Sequence, residues 1–65
     1  MFEEYDSVRS VVDINSKIHS GARGVIVMVL DKKNKVYEVE FFDDNNKTID
    51  VTEVKGEELM KVNRV

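Results

Sequence analysis

The sequence contains no cysteine, no proline and no tryptophan, and it has a single histidine. Without cysteine the chain forms neither a disulfide bridge nor a thiolate zinc site, two devices on which small domains often depend. A histidine-based metal site or catalytic relay would have to be completed around His19 by carboxylates alone. We therefore expect no metal, no cofactor and no catalytic residue, and the chain is predicted not to be an enzyme.

Long apolar runs and an excess of positive charge are also missing. No hydrophobic stretch approaches the roughly 20 residues that cross a bilayer, and the acidic start lacks the basic and apolar segments of a signal peptide. The chain carries 10 basic and 13 acidic side chains, for a net charge of -3. Domains that bind phosphates are usually basic. Composition therefore predicts a cytoplasmic protein with no membrane contact, and it disfavours general nucleic-acid binding.

The 65 residues allow one small domain. A domain of this size buries only about 60% of the surface that its unfolded chain exposes, so its stability is expected to be modest. No repeat, low-complexity tract or proline-rich linker divides the chain. We predict a single domain over residues 7–65, preceded by a segment, residues 1–6, that is expected to fray.

The middle of the chain has the clearest pattern. The apolar run 25–30, the polar turn 31–35 and the alternating run 36–42 together predict a β-hairpin. A third alternating run at 47–52 extends the hairpin to a meander. Alternation assigns one face of each run to the core. The residues predicted to form the centre of the core are Tyr37, Val39, Phe41, Ile49 and Val51.

The flanking segments complete a five-stranded pattern. Residues 7–14 predict a first strand with a bend near Ser10, and the following loop tucks Ile18 inwards. Residues 55–59 are too short for a stable helix and predict a single helical turn before a last strand at 60–62. This order is typical of an all-β fold, a small five-stranded SH3-like barrel with one short helical turn before the last strand.

The exposed residues suggest a binding surface. Glu38 and Glu40 alternate with predicted core residues and therefore face outwards. The run 25–30 is apolar on both faces, and so small a core cannot hide all of it, which leaves an apolar strip for a partner. Interfaces take energy from a few apolar anchors and selectivity from charges. The predicted partner-binding residues are Glu38, Glu40, Asp43, Asp44, Asp50, Met28, Leu30 and Phe42.

Four segments resemble a bacterial family known as domain of unknown function 4926. They are residues 8–12, Gly21-Ala-Arg-Gly24-Val-Ile-Val, Val36-Tyr-Glu-Val-Glu-Phe41 and Glu58-Leu-Met-Lys-Val62, and the similarity covers nearly all of the chain after residue 6. Asn45-Asn46 stands where the family usually has Asp-Gly, a swap that asparagine tolerates because it adopts positive φ. The glycine pair is also similar to KOW-type ribosomal and transcription-factor modules.

The resemblance implies a small barrel and a protein-binding role, because small orphan domains of this sort often occur beside bacterial toxin, immunity or antitoxin genes. We therefore predict a non-enzymatic protein-binding module, an immunity or antitoxin-type protein that covers a basic toxin. Two alternatives stay open: self-association along the strand at 25–30, and a KOW-like nucleic-acid or ribosome-associated module. The second would use Arg9, Lys17, Arg23, Lys32, Lys33 and Lys35.

Overall fold

The computed structural model describes residues 1–62, which form one antiparallel sheet of five strands in the order β4-β3-β2-β1-β5. The prediction of an all-β, five-stranded fold is confirmed, with one 3-10 turn, Gly56–Glu58, before the last strand of the described chain. The sheet is not closed, and β4 and β5 are its two edges. The strands are β1 (Ser7–Ser10), β2 (Arg23–Asp31), β3 (Val36–Phe42), β4 (Thr48–Lys55) and β5 (Leu59–Lys61).

The core forms on one face of the curved sheet. Tyr37, Val39 and Phe41 have no exposed surface, as the alternation in β3 predicts. The buried residues that surround them are Val8, Ile18, Ile26, Val54 and Leu59. Because each fully buried side chain of this kind stabilises the fold by roughly 1.5–3 kcal/mol, the core is the main source of stability in this small chain.

The N-terminal segment contacts this core. The ring of Phe2 packs edge-on against Tyr37, with ring centroids 5.4 Å apart. The backbone N–H of Phe2 donates to the Tyr37 hydroxyl at 3.2 Å. Further along, the N–H of Tyr5 donates to the carbonyl of Ile26 at 2.7 Å. Residues 2–5 therefore close one end of the core.

One predicted core residue is on the wrong side. Val51 is 44% exposed, so the prediction that it belongs to the core is wrong. The cause is a β-bulge: Phe41 pairs with Asp50 and Phe42 with Thr48, which leaves Ile49 as an extra residue in β4. Ile49 still packs against the core. Beyond it the alternation has shifted by one, and Val54 becomes the buried residue of β4.

Strands β1 and β2 also depart from the simple pattern. β1 ends at Ser10 rather than at residue 14, because the Ser10 hydroxyl donates to the carbonyl of His19 and accepts the N–H of Ala22. These bonds fold the chain into a loop, and Ile18 is fully buried in it, as predicted. In β2, register shifts between Ile26 and Met28 and between Val29 and Asp31 interrupt the alternation.

Candidate functional site

The face of the sheet opposite the core is the candidate site. Directly paired residues lie on the same face, so the pairing registers assign its members without ambiguity. We call this surface the outer face. It comprises Ser7, Arg9, Arg23, Val25, Met28, Asp31, Val36, Glu38, Glu40, Phe42, Thr48, Val51, Glu53, Lys55 and Met60.

Carboxylates gather on β3 and β4. Glu38 pairs with Met28 on one side and with Glu53 on the other. Glu40 pairs with Val25 and Val51, and its carboxylate accepts a hydrogen bond from the hydroxyl of Thr48. Like charges placed directly opposite each other destabilise a sheet. The Glu38–Glu53 pair is therefore a feature that sheet stability alone does not explain.

Apolar side chains alternate with these carboxylates. Met28 is 52% exposed, and Val51, 44% exposed, follows the same face on β4. Val25 and Val51 flank Glu40 in one cross-strand row, and Met28 lies beside Glu38 in the next. We call Glu38, Glu40 and Glu53, together with Met28 and Val51, the acidic patch.

Not all of the predicted binding residues share this surface. Asp43 lies in the β3–β4 turn, where its carboxylate accepts the N–H groups of Asn45 at 2.8 Å and Lys47 at 3.0 Å. Its observed contacts therefore hold the turn. Asp44 is exposed at the same turn.

Asp50 and Leu30 also lie apart from the acidic patch. Asp50 pairs with the core residue Phe41, on the other side of the sheet from Glu38, and its carboxylate accepts the N–H of Val51. Leu30 is exposed at a register shift near the end of β2. The structure brings together Glu38, Glu40 and Met28, with Phe42 at the margin of the same face.

The other half of the outer face is basic. Arg9 of β1 pairs directly with Arg23 of β2, and Arg23 pairs with Phe42 of β3. These side chains border a cavity of about 350 Å³ that also contacts Val25 and Val62. Sequence reasoning placed both arginines in the nucleic-acid alternative but did not foresee their pairing.

The remaining basic residues of that alternative lie elsewhere. Lys32, Lys33 and Lys35 are in the turn after β2, whereas Arg23 begins that strand. At about 3.3 Å per residue, the length of β2 separates the two groups by more than 25 Å. Lys17 lies in the β1–β2 loop. The six residues therefore form no continuous basic track of the kind that follows a phosphate backbone.

Within residues 1–62, no group of three or more histidine, aspartate or glutamate side chains is arranged to hold a metal ion. His19 faces solvent, with Nδ1 at 3.8 Å from the Asp13 carboxylate. No helix in the described part of the chain is long and apolar enough to cross a bilayer.

Together the fold and the outer face define a small all-β module that presents one charged sheet surface. Residues 4–61 match the family model described as Domain of unknown function (DUF4926). The match spans most of the chain, which therefore belongs to this family, as the resemblance predicts. No curated protein and no solved structure matches the chain.

Proposed function

We propose that the chain is a non-enzymatic protein-binding module that uses the acidic patch to cover a basic partner. The observation that carries the proposal is the Glu38–Glu53 pair, two carboxylates directly opposite each other beside exposed Met28 and Val51. A partner with cationic side chains would neutralise the repulsion, and the apolar side chains would supply contact energy.

The partner class that fits best is a basic bacterial toxin, with this chain as the immunity or antitoxin-type protein. The net charge of -3 supports rapid capture, because complementary charge accelerates diffusional encounter. This part of the proposal also draws on the genomic settings in which small orphan domains of this kind often occur.

The test compares two triple variants with the same change in net charge. Glu38→Gln/Glu40→Gln/Glu53→Gln removes the carboxylates of the acidic patch. Its matched control, Glu3→Gln/Glu4→Gln/Glu57→Gln, removes three exposed carboxylates outside the outer face. Each protein is used to capture partners from cells of the native source, and the association rate with the captured partner is measured from low to physiological salt.

The wild type and the control variant should capture the same basic protein, with an association rate that falls as salt rises. The acidic-patch variant should associate at least about tenfold more slowly at low salt. Equal association rates for both variants, or a partner without basic character, would refute the assignment.

A further inference from the structure

The basic half of the outer face contains a second pair of like charges. Arg9 and Arg23 are directly opposed on neighbouring strands, an arrangement that destabilises a sheet. The chain has more acidic than basic residues, yet two of its arginines are placed side by side. Local choices that oppose stability are expected at functional sites, where other contacts compensate for them.

Neutral oxygen atoms hold both guanidinium groups in place. Nη1 of Arg9 donates to the carbonyl of Gly21 at 2.8 Å. Nη2 of Arg23 donates to the carbonyl of Asp43 and to Oδ1 of Asn46, both at 2.9 Å. Among residues 1–62, neither arginine forms an ion pair with a carboxylate. The side chains are therefore oriented in advance, and each keeps N–H donors for a further acceptor.

The cavity between these arginines combines charge with an apolar surface. Its volume is about 350 Å³, and its lining includes Val25, Phe42 and Val62 beside Arg9 and Arg23. This volume lies at the lower end of the range of small-molecule sites. A ligand that fills it would place an anionic group on the arginines and an apolar body against the valines and Phe42.

The surroundings select a single anionic group rather than a polyanion. Glu40 lies in the next row of the outer face, beside Val25, and Glu38 lies in the row after that. A phosphodiester chain that crossed the face would meet these carboxylates, and no continuous basic track leads away from the cavity. A carboxylate matches a guanidinium edge with two parallel hydrogen bonds and leaves the rest of the molecule free to contact apolar walls.

We propose that the cavity between Arg9 and Arg23 binds a carboxylate carried on an apolar body. Such a group occurs in a free carboxylic acid and in the C-terminal residue of a polypeptide with an apolar side chain. In both, the charge and the apolar part are close enough to fit one small cavity. This site is separate from the acidic patch and stands independently of the function proposed above.

The experiment is a titration of the ¹⁵N-labelled chain followed by two-dimensional NMR. One arm uses N-acetyl-leucine, and a second uses a hexapeptide that ends in leucine with a free carboxylate. The matched neutral ligands are the C-terminal amides of both compounds, and inorganic phosphate is the anion without an apolar body. The carboxylates should shift the amide signals of Arg9, Arg23, Val25 and Phe42 saturably, with a Kd on the order of 1 mM for N-acetyl-leucine.

The two carboxylate arms identify the source of the ligand. Tighter binding of the peptide favours a polypeptide C-terminus, and equal binding favours a free acid, because the additional peptide residues then add no contact. The proposal is overturned if neither carboxylate gives saturable shifts at these residues, or if the amides or phosphate bind as tightly as the acids.

A substitution separates binding from folding. Arg9→Gln should weaken binding of the carboxylate about tenfold or more, because it removes a charged hydrogen-bond donor. The same substitution should change the melting temperature little, because loss of the exposed hydrogen bond to Gly21 is offset by removal of one of two opposed positive charges. Lys33→Gln makes the same change in net charge in the distant β2–β3 turn and should retain full affinity. Equal affinity of Arg9→Gln and Lys33→Gln would also overturn the proposal.

Discussion

Gly24 lies where the sheet leaves no room for a side chain. A Cβ atom at this position would stand 2.8 Å from Cγ1 of Val39 and 3.0 Å from both the carbonyl oxygen of Glu40 and Cδ1 of Phe41. Gly21 is required for a different reason, because its φ of +91° is one that side chains rarely adopt. One glycine therefore permits close packing and the other permits a turn.

Gly24→Ala should lower the free energy of unfolding by about 1–3 kcal/mol, because the added methyl group overpacks the core. Urea denaturation of the variant measures the loss. Val39→Ala removes the nearest colliding atom, so Gly24→Ala should cost less in that background than in the wild type. An equal cost in both backgrounds would show that the contact with Val39 does not cause the destabilisation.

Asp31 is the residue whose acidity the fold changes most clearly. Its carboxylate accepts the backbone N–H of Asn34 at 3.0 Å and the side-chain amide of Asn34 at 2.8 Å. These bonds, the backbone one foremost, hold the pKa of Asp31 below its ordinary value of 3.8. They favour the charged form, so their contribution to stability is present above that ordinary pKa and is lost as pH falls through the lowered one.

An NMR titration of the side-chain carboxyl carbon should therefore place the midpoint of Asp31 below 3.8. Asp31→Asn should reduce the difference in stability between neutral and acidic solution, because the variant has no proton to bind at this position. The difference in stability between the two proteins should be constant near neutral pH and should shrink only as the pH falls below about 4. A midpoint at or above the ordinary value would contradict the role given to Asn34.

At the scale of the elements, the bulge in β4 determines which valine is buried. Val54→Ala should cost about 2 kcal/mol of unfolding free energy, because it removes fully buried methyl groups. Val51→Ala, the same chemical change three residues away on the outer face, should alter stability by less than about 0.5 kcal/mol. Thermal denaturation of both variants tests the register, and a larger loss for Val51→Ala than for Val54→Ala would mean that the alternation of Ile49 and Val51 continues unbroken.

The sequence predicts the buried face of a strand well where period-two alternation is uninterrupted. Tyr37, Val39 and Phe41 alternate without interruption, so period-two reasoning identified their buried face and, by exclusion, the exposure of Glu38 and Glu40. The same reasoning fails at Ile49 because no pattern in the neighbouring sequence marks the extra residue of a bulge. Alternation therefore assigned Val51 to the core.

The candidate site depends on register as well as on alternation. Pairing joins Glu38 to Glu53 and Arg9 to Arg23 across strands. Such pairs follow from turn geometry and from the packing of the whole sheet. The sequence shows that these residues are charged and lie in or near strands, but their juxtaposition comes only from the three-dimensional arrangement.

At the scale of the whole molecule, the strand order combines local and distant pairings. β2, β3 and β4 pair with their neighbours in sequence, whereas β5 pairs with β1 at the other end of the described chain. Distant pairing costs more loop-closure entropy, so it is expected to form after the local hairpins.

Stopped-flow folding measurements test this order. Leu59→Ala, in β5, should accelerate unfolding and leave the folding rate almost unchanged, with a φ-value below about 0.3. Val39→Ala, in the central hairpins, should slow folding, with a φ-value of about 0.5 or more. A high φ-value at Leu59 would mean that β1 and β5 associate before the meander is complete.

The expected late pairing of β5 leaves one edge of β1 without a partner strand for part of the folding reaction, while the other edge is paired with β2. During that interval its free N–H and C=O groups can be satisfied by a strand from another molecule as readily as by β5. Refolding then becomes a competition between intramolecular closure, which is independent of concentration, and intermolecular strand exchange, which is not. Dilute chains should recover fully as monomers, whereas concentrated chains should yield exchanged oligomers joined through β1.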